Sequence, residues 1–356
     1  MSSVTQLDHL GVVVGVDTHK DEHVAVAIDE RGARLGECRL TATGEGYARL
    51  ASWARALGPI VAFGVEGTGS YGAGVARFLT GAGHTVVEVN RPDRSTRRRI
   101  GKSDPIDAEM AARSVLAGVA TGRPKSGSDR VEMIRMLKVA KDSAVRARTQ
   151  AVNQIKALVV TAPAELRASL TELPNRQLIA RCAAARPGPL TTPMAAAKHA
   201  LRSLARRHLE LGRELDELET QIATLTAAVA PRLRTTFGIG ADTAATLLVA
   251  AGDNPHRLHS EAAFAALCGT NPIPASSGKT DRHRLNRGGN RQANAALHRV
   301  VVVRLRWHQP TKDYAERRLK EGKTKAEIMR CLKRFVAREV FSILRDIDTE
   351  TAVRVA

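Results

Sequence analysis

Residues 11–90 alternate between two hydrophobic periodicities, and this alternation constrains the fold more than any other feature of the sequence. Apolar runs at 11–17 and 23–29 predict a β-hairpin that turns at 18–22, and a third strand is predicted near 34–40. The next predicted elements are a helix at 46–57, a strand at 60–66, a helix at 71–80 and a strand at 85–90. This order predicts a mixed sheet covered by helices.

The remainder of the sequence reads as helical. A basic helical stretch begins near residue 126, and a heptad repeat over 201–229 predicts a coiled-coil hairpin or a dimer seam. Its two series are Leu201, His208, Leu215, Ile222 and Val229, and Leu204, Leu211, Leu218 and Leu225. We therefore predict three parts: an α/β domain at 1–125, a helical linker with the coiled coil at 126–230, and a mostly α-helical domain at 231–356.

The net charge indicates the class of partner. The 356 residues include 55 Lys and Arg against 36 Asp and Glu, which gives a formal charge of +19. A chain that is 43% hydrophobic can build a core, so this excess points to a polyanion, most commonly nucleic acid. The low aromatic content, 3%, disfavours a single-strand binder built on stacked rings.

Membrane and disulfide-rich classes are disfavoured. No apolar stretch approaches the roughly 20 residues that a spanning helix needs, and no signal peptide is evident. The four cysteines are scattered without CxxC spacing, which indicates neither structural zinc nor a disulfide framework. These features predict a cytoplasmic protein without a membrane partner.

Four acids stand at the ends of the predicted elements. Asp17 ends the first strand, Glu66 ends the fourth, and Asp104 and Asp107 share one face at the start of a helix. The predicted element order is that of the ribonuclease-H-like fold, in which the ends of the first and fourth strands are neighbours. Four converging carboxylates need a cation, and oxygen ligands favour Mg²⁺, with Mn²⁺ as the other choice. Such a centre can orient the oxygens of a phosphodiester.

Several motifs together carry a resemblance to a known family. The sequence resembles the DEDD-type insertion-sequence transposases, in which a RuvC-like N-terminal domain is joined to a C-terminal serine transposase domain. The motifs are GVDTHK at 15–20, VEGTG at 65–69, KSDPIDA at 102–108, SGK at 277–279 and RGGNR at 287–291. The similarity covers nearly the whole chain.

The resemblance implies a DNA recombinase that excises and inserts its own element. It implies that Asp17, Glu66, Asp104 and Asp107 are catalytic metal ligands, and that Ser277 is a nucleophile that forms a phosphoserine link to DNA. Ser276 is the adjacent alternative. The related bridge-RNA-guided systems imply target DNA, donor DNA and a structured noncoding guide RNA as partners. A site shared between protomers implies a homo-oligomer, a dimer or a tetramer.

Basic residues are the candidate contacts to nucleic-acid phosphates. They lie in the 91–102 segment, in the first basic helix and after the serine motif. The predicted set is Arg97, Arg98, Arg99, Lys102, Lys138, Lys141, Lys279, Arg282, Arg284, Arg287 and Arg291.

Three other functions fit part of the sequence. A RuvC-like nuclease or resolvase would use the same four acids with water as the nucleophile. An actin-like or sugar-kinase ATPase shares the opening hairpin but needs a second phosphate loop, and a charge of +19 is not typical of it. A non-catalytic nucleic-acid-packaging protein would bind without magnesium-dependent strand transfer.

Overall fold

A computed structural model describes residues 11–90, 103–127, 129–280 and 282–355 of the chain, with side chains described up to residue 347. These residues form two compact units. Unit 1 is the described part of Met1–Ser128 together with Gly252–His259, and unit 2 is that of Asp129–Ala251 and Ser260–Ala356. Within the described ranges, no helix combines the length and apolar character needed to cross a membrane.

Unit 1 contains a five-stranded mixed sheet in the order β3-β2-β1-β4-β5. The first three strands are antiparallel, while β4 pairs in parallel with both β1 and β5. The strands are β1 (Val12–Thr18), β2 (Glu22–Asp29), β3 (Arg34–Thr41), β4 (Ile60–Glu66) and β5 (Val86–Val89). This sheet confirms the predicted mixed α/β domain and is compatible with a ribonuclease-H-like fold.

Helices cover both faces of the sheet. They are α1 (Gly44–Leu57), α2 (Ala73–Gly81) and α3 (Asp104–Leu116). Val12, Val14 and Val16 of β1 pack in one core with residues of α1 and α2, whereas Val13 packs in a second core with α3. Because side chains alternate along a strand, Asp17 lies on the same face as Val13, the face that α3 covers.

Two glycines bring α3 close to the sheet. Gly15 of β1 and Gly64 of β4 are paired in register. A Cβ atom on Gly15 would lie 1.9 Å from the backbone oxygen of Ala108, and one on Gly64 would lie 2.7 Å from Val115. The helix backbone therefore contacts the strand directly, which places the first turn of α3 beside the strand ends.

The substitution Gly15→Ala is expected to destabilise unit 1 by about 3 kcal/mol, because α3 must move away from β1 to admit the new methyl group. Denaturant unfolding of the full chain measures this. Gly36→Ala is the matched control, since its Cβ would lie 3.4 Å from the Trp53 ring, and we expect a change below about 1 kcal/mol. Equal effects of the two substitutions would contradict the close approach of α3.

Unit 2 is mostly helical. Its helices are α4 (Arg130–Thr161), α5 (Ala164–Leu170), α6 (Asn175–Ala183), α7 (Pro193–Val229), α8 (Pro231–Thr235), α9 (Ala241–Ala251), α10 (Glu261–Leu267), α11 (Arg291–Trp307), α12 (Gln309–Lys320) and α13 (Lys325–Val355). A short hairpin of β6 (Pro272–Pro274) and β7 (His283–Leu285) lies between α10 and α11. The predicted helical remainder of the chain is thus confirmed.

The heptad repeat lies on α7, which packs along α4 of the same unit. Leu201, Leu215 and Ile222 of the first series are buried, and the Nδ1 atom of His208 lies 3.3 Å from the backbone oxygen of Arg148 on α4. The four leucines of the second series are only half-buried. The first series therefore serves a helix pair within one chain, and a dimer seam stays a prediction.

Unit 1 is discontinuous in sequence. Asn254 accepts a hydrogen bond from the Ser126 backbone N–H at 3.1 Å and donates one to the Pro124 oxygen at 3.0 Å. The Arg257 side chain is 8% exposed; it donates to the Arg123 oxygen at 3.1 Å, and its guanidinium lies 3.7 Å from the Glu88 carboxylate. A segment from the second half of the chain is therefore tied to unit 1. The three-part division with boundaries at 125 and 230 stays a prediction.

Candidate active site

The end of β1 carries Asp17, which is 7% exposed. Glu66 ends the adjacent parallel strand β4 and is 5% exposed. The Thr18 hydroxyl donates a hydrogen bond to the Glu66 backbone oxygen at 3.0 Å and so ties the two strand ends together. The predicted proximity of these strand ends is therefore present in the structure.

The first turn of α3 carries the other two predicted acids. Asp104 begins the helix after the N-cap Ser103, and Asp107 follows one turn later. Asp107 is 4% exposed, whereas the side chain of Asp104 is 43% exposed. The two acids differ in their access to solvent, although they share one helix face.

This cluster also contains a histidine, His19, which is not among the predicted site residues. The Nε2 atom of His19 lies 3.2 Å from Asp17 Oδ2 and 3.4 Å from Asp104 Oδ1. One ligand atom from each of these three residues lies within 4.8 Å of the others, and neither Glu66 nor Asp107 belongs to this group. The i, i+2 spacing of Asp17 and His19 at a strand end was the available signal, since such residues share a face.

Burial and charge act together on Asp17. Burial raises the pKa of its carboxyl group, His19 opposes that rise, and the negative charges of Asp107 and Asp104 add to it. The carboxylates therefore interact electrostatically at this strand end. A divalent cation would offset that repulsion, and the donor set of carboxylate oxygens with one imidazole nitrogen fits such an ion.

The backbone of His19 is held by the hairpin between β1 and β2. Its N–H donates to the backbone oxygen of Glu22 at 3.2 Å and to Nδ1 of His23 at 3.3 Å. His23 is fully buried and its ring stacks on Tyr47, with centroids 5.8 Å apart. Burial lowers the pKa of His23, which favours the neutral ring that this hydrogen bond requires.

Ser277 stands at the tip of the β6–β7 hairpin in unit 2. Ser277 and Thr280 exchange two backbone hydrogen bonds of 3.1 Å around the turn residues Gly278 and Lys279. Gly278 has a φ of 56°, the conformation that favours glycine in a two-residue hairpin turn. The serine is exposed, and its hydroxyl group makes no hydrogen bond to the described part of the chain.

The hairpin separates the two candidate serines. Ile273 pairs with Arg284, and side chains alternate along both strands, so Ser277 shares a face with Arg282 and Arg284. Ser276 lies on the opposite face, and its hydroxyl oxygen accepts a hydrogen bond from the Arg282 backbone N–H at 3.3 Å. The hairpin thus carries Ser277, Arg282 and Arg284 on one face.

The predicted basic residues differ in their placement. Those near the serine motif are all exposed: Lys279, Arg282, Arg284, Arg287 and Arg291. Lys138 and Lys141 are buried, and their ammonium groups bind Asp242 Oδ1 at 2.9 and 3.0 Å. Their placement gives no support to a role in nucleic-acid contact, and we leave them out of the proposed interface. The remaining set, Arg97, Arg98, Arg99 and Lys102, lies outside the described residues.

Comparisons with known proteins agree with this arrangement. Residues 14–162, which include the four acids, match a DEDD-type family model described as "Transposase". Residues 230–316, which include Ser277, match a model described as "Transposase IS116/IS110/IS902 family". The sheet, the acidic strand ends and these two matches define a protein of the transposase class.

The chain belongs to the IS110 family of insertion-element transposases. It is 34% identical over 133 residues to a Streptomyces coelicolor protein described as "Insertion element IS110 uncharacterized 43.6 kDa protein". That alignment covers 36% of this chain and 32% of the relative, so the chain spans about a third of the curated relative that it matches.

Proposed function

We propose that this protein cuts and rejoins DNA as the transposase of an insertion element, through a phosphoserine intermediate. The observation that carries the proposal is the approach of Asp17 and Asp104 around His19, with the buried acids Glu66 and Asp107 on the neighbouring strand end and the same helix turn. Membership of the IS110 family supports DNA as the substrate.

The acids would hold divalent cations. Asp17, Glu66, Asp104 and Asp107 are the proposed ligands, and Mg²⁺ is the proposed ion, with Mn²⁺ as the other candidate. A bound divalent ion would supply electrostatic stabilisation to the phosphate and lower the barrier for attack by a hydroxyl group. The carboxylates would fix the positions of the ions, and through them that of the DNA phosphate.

Ser277 would supply the nucleophile. Its hydroxyl oxygen gives up its proton and forms a bond to a DNA phosphorus while one P–O bond of the strand breaks, and the released sugar oxygen takes up a proton to become a hydroxyl group. Attack of a second strand's hydroxyl on the phosphoserine reverses the step. Each break is matched by one new phosphoester bond, so no nucleotide hydrolysis is needed. Arg282 and Arg284, on the same face, would offset charge on the phosphate.

The proposed partners are target DNA, donor DNA and a structured guide RNA. The exposed cations around Ser277 contact phosphates without reading sequence, which fits a guide that reads sequence by pairing. Because the serine and the acids lie in different units, we also propose a site shared within a homo-oligomer, either a dimer or a tetramer. Sequencing of the RNA that copurifies should yield one species with loops complementary to the element ends and the target. A random RNA population would contradict a guide.

A pair of serine variants tests the nucleophile. With labelled element-end DNA, the copurifying RNA and Mg²⁺, wild type and Ser276→Ala should form a protein–DNA adduct that survives denaturation. Ser277→Ala should form none and should lose strand transfer. Adduct formation by Ser277→Ala but not by Ser276→Ala would reassign the nucleophile. Strand cleavage by Ser277→Ala without any adduct would support the alternative, a RuvC-like nuclease that uses water.

A further inference from the structure

We propose that His19 is a nitrogen ligand of the metal centre and makes this centre select Mn²⁺ over Mg²⁺. The proposal rests on the proposed function only in assuming that the Asp17 centre binds divalent cations. It adds a ligand outside the four acids, and of the two candidate ions it favours Mn²⁺ over the Mg²⁺ that the acids alone suggest.

The positions of the donor atoms suit a single ion. Adjacent ligands of an octahedral ion with bonds of about 2.1 Å lie about 3 Å apart. His19 Nε2 lies 3.2 Å from Asp17 Oδ2 and 3.4 Å from Asp104 Oδ1, close to that separation. Small side-chain adjustments are enough for all three atoms to contact one cation.

The position of His19 is set by the hairpin. Its N–H is held by the Glu22 oxygen and by His23, and the preceding residue Thr18 pairs with His23 in the β1–β2 register. The His19 side chain is 52% exposed, so its ion pairs with the two aspartates contribute little to folding stability. The side chain of His19 is half-exposed and lies beside two carboxylates. Binding of a metal ion explains this position better than a contribution to folding stability does.

The chemical nature of the ligand atoms determines which of the two ions binds more tightly. Mg²⁺ prefers oxygen ligands and retains its water, whereas Mn²⁺ shares the preference for oxygen but, as a transition-metal ion, binds an imidazole nitrogen more readily than Mg²⁺ does. Replacing one oxygen ligand by His19 therefore favours Mn²⁺ relative to Mg²⁺. The carboxylate oxygens of Asp17 and Asp104 still suit Mn²⁺, which binds oxygen ligands well.

Metal titrations of the full chain without DNA test the proposal. By calorimetry, wild type should bind Mn²⁺ at least about tenfold more tightly than Mg²⁺, and His19→Asn should weaken Mn²⁺ binding by about tenfold or more while changing Mg²⁺ binding by less than about threefold. Electron spin-echo spectra of bound Mn²⁺ should show coupling to a ring nitrogen that disappears in His19→Asn. Equal loss for both ions, an unchanged Mn²⁺ affinity, or the absence of nitrogen coupling in wild type would overturn the assignment.

Two further variants separate this proposal from the proposed function. His199→Asn, the same substitution on α7 in unit 2, should leave both affinities unchanged. Asp17→Asn should weaken binding of both ions. If Asp17→Asn binds both ions like wild type, the metal centre of the proposed function fails as well. If only His19→Asn lacks an effect, the centre stands and the role of His19 is rejected.

Discussion

DNA strand cleavage is expected to fall by about a thousandfold or more when Asp17 is replaced by Asn. Asp17 is buried at the end of β1, its carboxylate lies near that of Asp104, and the negative charges of Asp104 and Asp107 raise its pKa. If Asp17 is a metal ligand, as proposed, its loss removes several kcal/mol of electrostatic stabilisation from the transition state, and about 4 kcal/mol corresponds to a thousandfold in rate. Single-turnover cleavage of labelled element-end DNA measures the loss.

Asp21→Asn is the matched control, because Asp21 lies in the same β1–β2 turn but is exposed. Its cleavage rate should stay within about twofold of wild type, and DNA binding by both variants should be retained. If Asp17→Asn cleaves DNA at the wild-type rate, Asp17 does not belong to the active site. A loss of DNA binding together with activity would indicate a folding defect.

Replacing Asp242 with Ala is expected to lower the free energy of unfolding by about 3 kcal/mol. Asp242 binds the ammonium groups of Lys138 and Lys141, which are only 7% and 8% exposed. Removal of one partner from a buried ion network leaves uncompensated charges and typically costs about 3–5 kcal/mol. We expect the low end of this range because Lys141 keeps one counter-charge, the Glu219 carboxylate at 3.1 Å. Urea denaturation monitored by circular dichroism measures this loss.

Asp142→Ala provides the control, since Asp142 lies 3.8 Å from Lys138 and makes no closer ion pair with it. We expect a change below about 1 kcal/mol. Adding Lys138→Met and Lys141→Met to Asp242→Ala should recover stability, because apolar side chains of similar length need no counter-charge. A triple variant that is no more stable than Asp242→Ala would contradict the assigned cause.

The same network predicts a dependence on pH. Burial opposes ionisation of Asp242, but hydrogen bonds and charges from Lys138 and Lys141 lower its pKa from 3.8 to about 2. Since the folded-state pKa lies below the unfolded value, the stabilisation is complete above about pH 4 and declines as the pH falls toward 2. The stability difference between wild type and Asp242→Ala should therefore narrow below pH 4 in the same urea titrations.

The sequence predicted the N-terminal sheet well because local patterns determine it. Every predicted strand and helix between residues 11 and 90 is present, with ends shifted by a few residues at most. Most of the strands are short apolar runs, and the connections between them are short. Together these features leave little choice of topology. Glu66 and Asp17 could be placed at neighbouring strand ends for the same reason.

Pairings between distant residues could not be read from the sequence. Lys138 and Lys141 resemble a solvated basic face, and their counter-ion Asp242 lies 104 and 101 residues away. The local spacing of Asp17 and His19 indicates only that they share a face, whereas the contact of His19 with Asp104 depends on α3, which lies close to β1 because Gly15 permits it. Such contacts depend on tertiary packing that no local pattern encodes.

The discontinuity of unit 1 also sets an order of events during protein synthesis. Asn254 follows its partner Pro124 by 130 residues, so the ribosome makes all six helices from α4 to α9 in between. At about 5–20 residues per second, this delay lasts on the order of ten seconds. The five-stranded sheet of unit 1 is therefore synthesised before the last segment of the unit, and a polypeptide released early lacks Arg257, which pairs with Glu88.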